Sequence, residues 1–190
     1  MKTKLSILTL AVSCAFAGHA MALTKAQYKT QKESVEAAYK SAKEKCAALN
    51  ANAKDICRAE AKGAEKVAKA ELAAQYKPSP GRDKKVRDAK ADAAYDVARE
   101  KCDDLDGNPK DVCVKDAKAA RVSAKADAKV SKARAEPNND KATAVVDAKK
   151  DASSDKNDVM YKAAKERCDA MSGNAKDACQ ADAKAKFGMK

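Results

Sequence analysis

Apolar residues recur along this chain at helical spacing, one narrow stripe at a time. Tyr28, Val35, Tyr39, Ala42, Cys46 and Leu49 fall within one arc at about 100° per residue. Ala91, Tyr95, Ala98, Cys102 and Leu105 form a second stripe, and Ala61, Ala64, Ala68 and Leu72 share the face of Cys57. Large residues on one helix would then meet alanines on its partner, which allows close approach but buries little area.

These stripes belong to a repeat. YKSAKEKCAALNANAKDICRAEAK begins at Tyr39, YDVAREKCDDLDGNPKDVCVKDAK at Tyr95 and YKAAKERCDAMSGNAKDACQADAK at Tyr161. Each copy is one supersecondary unit, and each holds two cysteines: Cys46 and Cys57, Cys102 and Cys113, Cys168 and Cys179. A turn falls midway between them. Asn52, Asn108 and Asn174 are read as N-caps, with Asp55, Asp111 and Asp177 three positions on completing a capping-box arrangement. Pro109 then falls at the first helical position, where proline is tolerated. Gly107 and Gly173 can close the incoming helix in a left-handed conformation, while Ala51 takes that place in the first unit.

The turn decides what the cysteines can do. In one unbroken helix, eleven residues would hold the thiols about 16 Å apart. A disulfide needs Cα atoms within about 7 Å. Across a helical hairpin the two meet about one turn in. Six cysteines allow fifteen connectivities, and the repeat symmetry points to pairing within each motif. Tyr39, Tyr95 and Tyr161 lie two helical turns before a cysteine and are read as hairpin packing, together with Leu49, Leu105 and Met171. A tyrosine recurring in this way could alternatively stack on a ligand.

Breaks at Lys77-Pro78-Ser79-Pro80-Gly81 and Glu136-Pro137-Asn138-Asn139-Asp140 divide the chain. The expected organisation is a leader at residues 1–22, hairpin 1 at 23–77, a linker at 78–82 and hairpin 2 at 83–135. A linker at 136–140, a polar lead-in at 141–158 and hairpin 3 at 159–190 follow. The lead-in is polar enough to be read as frayed or disordered. The fold class is all-α: three disulfide-stapled antiparallel helical hairpins, elongated or loosely bundled, with little globular core.

The leader has a basic start at Lys2 and Lys4, an apolar run from Leu5 to Ala17 and small residues at Ala20 and Ala22, as in a cleaved secretory signal. Lipidation at Cys14 is the minor alternative. Cleavage after Ala22 leaves 168 of the 190 residues and, with Lys2 and Lys4 gone, +10 of the formal +12 charge. No later segment is apolar enough to span a membrane, so the periplasm is the expected location. Disulfides suit that compartment.

Catalytic chemistry is hard to place. The single histidine, His19, lies in the leader. Metal-binding C-x-x-C spacing is absent, and so is the redox pair of thioredoxin-like sites. Glu44, Glu100 and Glu166 precede the first cysteines by two positions and are read as ion-pairing partners rather than acid–base groups. No catalytic residue, metal or cofactor is expected. The excess of lysine would draw the chain to anions. Candidate partners are anionic envelope polymers or lipids, or an envelope protein. Acids interspersed with the lysines, without interleaved aromatics, argue against nucleic acid. The pattern does not specify an oligomeric state.

Runs such as AEKVAKAELAA and AKAARVSAKADAK resemble the stalk of TolA-type envelope proteins. They are also similar to desiccation proteins of the late-embryogenesis-abundant type and to linker-histone-like bacterial proteins. The stalk lacks the cysteine motif. The full motif, Y-x3-[KR]-E-[KR]-C-x2-[LM]-x-[AG]-N-x-K-D-x-C, resembles that of exported Ala/Lys-rich helical proteins of Gram-negative bacteria, a resemblance that implies no particular activity. The reading is a non-enzymatic envelope protein with a structural, interaction or stress-related role. A stress protectant or holdase is the second reading, and a cysteine-based metal or redox protein the third.

Overall fold

The computed structural model describes residues 22–137 and 140–189. The expected leader, including Cys14, lies outside them apart from Ala22. Six helices follow in order: α1 (Lys25–Ala47), α2 (Ala51–Tyr76), α3 (Pro80–Cys102), α4 (Gly107–Ala135), α5 (Lys141–Cys168) and α6 (Gly173–Phe187). Among the described residues, each packs only against its neighbours in sequence. The described helices therefore form a single antiparallel layer, with the three cysteine turns along one edge and the facing ends of α2 and α3, and of α4 and α5, along the other. The hairpins do not hang as separate beads: α2 packs on α3 and α4 on α5 as fully as the partners within a hairpin do.

Local chemistry sets the helix ends. Thr24 caps α1 in a reciprocal box with Gln27. Ser79 caps α3 by accepting from the Arg82 N–H at 3.3 Å, with Pro80 at the first helical position. Helix α3 thus begins inside the expected 78–82 linker, because Ser79 and Pro80 start a helix as well as they end one. Arg82 also donates to the Ala73 carbonyl at 2.8 Å, tying the end of α2 to the new helix. At the open end of the first hairpin, the rings of Tyr28 and Tyr76 meet with centroids 4.6 Å apart.

The core is thin, as expected, and built from small residues. Ala126, Val130, Ala148 and Ala152 form one cluster between α4 and α5, and Ala119, Val159 and Ala163 a second. The polar lead-in at 141–158 is not frayed but forms most of the 28-residue helix α5. Ala148, Ala152 and Val159 recur at helical spacing and seat it on α4. Its other side is polar for a reason. Helix α6 spans only 15 residues against 28 in α5, so the lead-in has no hairpin partner to cover it. The first helix of hairpin 3 accordingly starts at Lys141, while only its later part pairs with α6.

Candidate interaction surface

The stapled turns are built alike. The first cysteine of each pair is, or nearly is, the last residue of the incoming helix, and the second lies two turns into the return helix. All three expected pairs form: Cys46–Cys57 and Cys102–Cys113 with Cα atoms 5.6 Å apart, and Cys168–Cys179 at 5.7 Å. Cys46, Cys102 and Cys168 are fully buried. With all six bonded, no thiolate among them is left to hold a metal. Disulfides of this kind belong to an oxidising environment.

The return helices begin two residues earlier than expected. Their N-caps are Asn50, Asp106 and Ser172, none with a side-chain capping bond. Asn52, Asn108 and Asn174 are therefore second helical residues, not caps, and Pro109 is third, not first. Proline is still tolerated there, because the first four N–H groups have no intrahelical acceptor. Asp55, Asp111 and Asp177 fall beyond the first turn and complete no capping box. What starts these helices is a left-handed residue, Gly107 at φ 58° and Gly173 at φ 54°, with Ala51 held at φ 47° in the first unit. Gly107 and Gly173 are left-handed as expected, but they open the return helix. The incoming helix closes earlier, through bonds such as Leu105 N–H to the Cys102 carbonyl at 3.0 Å.

The turn asparagines have another task. The Asn52 side-chain amide donates to the Glu100 carbonyl at 2.7 Å, and that of Asn108 to the Glu166 carbonyl at 2.9 Å. Each of the first two units thus reaches the end of the next unit's first helix and supplies a donor to a carbonyl in its last turn. Sequence reasoning missed this link. The signal was present in the identical Asn of each N-x-K-D turn, but a local capping role explained it equally well.

Packing at the joints is close. A Cβ built on Gly63 would lie 2.8 Å from the Cβ of Ala93. Ion pairs flank these contacts. Lys66 meets Asp96 at 3.1 Å and Lys90 meets Glu71 at 2.7 Å between α2 and α3. Arg167 meets Asp116 and Lys129 meets Asp151, both at 2.6 Å, between α4 and α5. Within the second hairpin, Asp92 binds Arg121 and Lys125. Partial burial pushes the Asp92 carboxyl up, but its hydrogen bonds to Lys125 and Arg121 win and hold it below the ordinary carboxylate range.

Tyr39, Tyr95 and Tyr161 are half-buried on the hairpins. The Arg121 guanidinium covers the Tyr95 ring at 5.1 Å. The other expected packing residues behave differently. Leu49, Leu105 and Met171 are 39%, 41% and 47% exposed. They lie past the helix ends, where the stripe that buries the cysteines no longer applies, and they project from the turn edge.

An open cleft of about 480 Å³ lies between α2 and α3, with Asp55, Arg58, Tyr95, Asp96, Arg99 and Glu100 in its lining. Its guanidiniums are already engaged: Arg58 pairs with Asp55 and Arg99 with Glu100. Glu166 faces Lys115 at 3.7 Å, in keeping with an ion-pairing role. Among the described residues no cluster of three metal-ligating side chains occurs, and no helix is long and apolar enough to cross a membrane. The broad charged surface of the layer is the candidate functional feature. No family model, curated protein or solved structure matches the chain.

Proposed function

We propose that this chain is a non-enzymatic, exported protein of the periplasm that binds anionic envelope components through the broad faces of its helical layer. The single-layer architecture carries this reading. A helix in a bundle hides most of its circumference, whereas each helix here meets only its sequence neighbours. Among the described residues nothing packs across either broad face of the six helices. Lysine and arginine number 40 against 28 acids, an excess that removal of the leader leaves at +10. Charge at that density on an extended surface attracts lipid headgroups and acidic polymers, and the attraction is screened by salt.

The disulfides and the leader support the location. Three bonded pairs suit an oxidising compartment, and residues 1–22 read as an export signal. The absence of histidine after His19 supports a non-catalytic role. The hairpins and joints consume most of the apolar stripes, leaving scattered exposed residues such as Leu49, Leu105 and Met171, so attachment would be mainly electrostatic rather than insertion of an amphipathic face.

Co-sedimentation of the oxidised protein with vesicles tests the reading. Vesicles rich in anionic lipid should retain the protein at low ionic strength and release it as salt rises, while neutral vesicles should not bind. A protein that ignores anionic vesicles at low salt, or binds neutral ones equally, would overturn the proposal.

A further inference from the structure

The two joints between successive units share two contacts, and the second joint adds an ion pair. The turn asparagine donates to a carbonyl in the last turn of the next unit's first helix. Six residues after the second cysteine, a small residue packs on the next unit: Gly63 against Ala93, and Ala119 beside Val159 and Ala163. In the second joint, Asp116, three residues after Cys113, pairs with Arg167, the residue before Cys168.

The same positions recur, without a neighbour among the described residues, at the two ends of the layer. On α6 they are Asn174, Asp182 and Ala185, and on α1 they are Glu44, Lys45 and Ala37. All six are exposed, whereas Asn52, Asn108, Glu100, Glu166, Asp116 and Ala93 are half-buried and Gly63, Ala119 and Val159 are buried; Arg167, the counterpart of Lys45, stays exposed in its joint. The lengths agree as well. In the register of the joints, Ala185 falls opposite Ala37, and α6 ends two residues later. Within that reach α1 offers the small residues Ala38 and Ser41. Beyond it, Thr30 and Glu33 stand where the second unit has Val86 and Ala89.

We propose that the α6 edge of one copy docks on the α1 edge of a second copy of this chain, in the register that joins successive units. Asn174 donates to the Glu44 carbonyl of the neighbouring copy, and Asp182 pairs with its Lys45. The two edges are different surfaces, so the contact is heterologous and leaves a free edge at each end. Copies then extend the layer as repeats extend a solenoid, through nearest-neighbour contacts alone. The contact is short, confined to the 15 residues of α6, so assembly depends strongly on concentration. No anionic ligand is required.

Sedimentation velocity of the oxidised protein over a wide concentration series provides the test. The wild type should shift to larger species as concentration rises. Asp182→Arg and Lys45→Glu should each raise the concentration needed by about tenfold, since an exposed attraction becomes a repulsion. An equimolar mixture of the two variants should associate again, because every new contact pairs opposite charges. Helical circular dichroism shows whether each variant stays folded. A wild type that remains monomeric up to its solubility limit would overturn the proposal. So would association unaffected by the single substitutions, or a mixture that fails to recover it.

Discussion

Ala51 is the residue on which the turn geometry can be tested most sharply. It holds φ 47° where the second and third units place Gly107 and Gly173. A left-handed conformation costs an L-residue roughly 1–2 kcal/mol, and glycine gives back roughly 0.5–1 kcal/mol through the greater freedom of its unfolded chain. Ala51→Gly should therefore stabilise the first hairpin by about 0.5–1 kcal/mol. The reverse changes, Gly107→Ala and Gly173→Ala, should destabilise by a similar amount. No neighbouring element adds to this local cost at these glycines, since an added Cβ would meet nothing within 4 Å beyond its own stretch of backbone at either one. The assay is urea denaturation followed by helical circular dichroism, with hydrogen exchange of the turn amides to localise the effect. Opposite shifts of the midpoint are expected. If Ala51→Gly leaves the midpoint unchanged or lowers it, the first turn does not share the left-handed geometry and the reasoning fails.

Other outcomes follow from the same structure. Gly63→Ala should destabilise by roughly 1–3 kcal/mol, because the new methyl would overlap Ala93 and force α2 from α3; a neutral urea midpoint would contradict the close joint. Asn52→Ala and Asn108→Ala should each cost about 1 kcal/mol for a lost inter-unit hydrogen bond, whereas Asn174→Ala, exposed on α6, should cost little in the monomer by the same assay. Removing one disulfide by a double Cys→Ser change should cost about 3 kcal/mol in the chain-entropy model, read as a lower thermal midpoint. Acid should destabilise the protein in a defined window. The folded state holds the Asp92, Asp151 and Asp169 carboxyls below the ordinary value of 3.8. Burial acts against this at Asp92, where Lys125 and Arg121 prevail; Lys129 lowers Asp151 and Lys176 lowers Asp169. Their contribution is thus fully present above the unfolded value and is lost as pH falls through the depressed folded ones. A circular-dichroism titration showing loss well above pH 3.8 would contradict it.

Much of the hairpin architecture was legible because it is local. The stripe from Tyr28 to Cys46 and the position of the turn between the cysteines bring Cys46 to Cys57 and its counterparts together, and all three bonds form. Helix starts were misplaced because Asn and Asp in N-x-K-D satisfy a capping pattern that the left-handed residue before them pre-empts. Most of α5 was hidden by its composition. Its alanines at 148 and 152 suffice to pack against α4, yet look weak beside the surrounding charges. The joints were beyond local reasoning altogether. Nothing near Asn52 in sequence points to the Glu100 carbonyl, 48 residues away. Leu49, Leu105 and Met171 were assigned to packing by extending a helical stripe past the end of its helix.

The direct test of the stapled repeat is a peptide map of the oxidised protein, alkylated and digested with trypsin without reduction. Lys54, Lys110 and Lys176 each lie between the two cysteines of a unit, so cleavage there separates each pair into two peptides held by one bond. The structure predicts three such linked species, Cys46–Cys57, Cys102–Cys113 and Cys168–Cys179, with no alkylated thiol. Labelled cysteines, or peptides linked between different units, would contradict it.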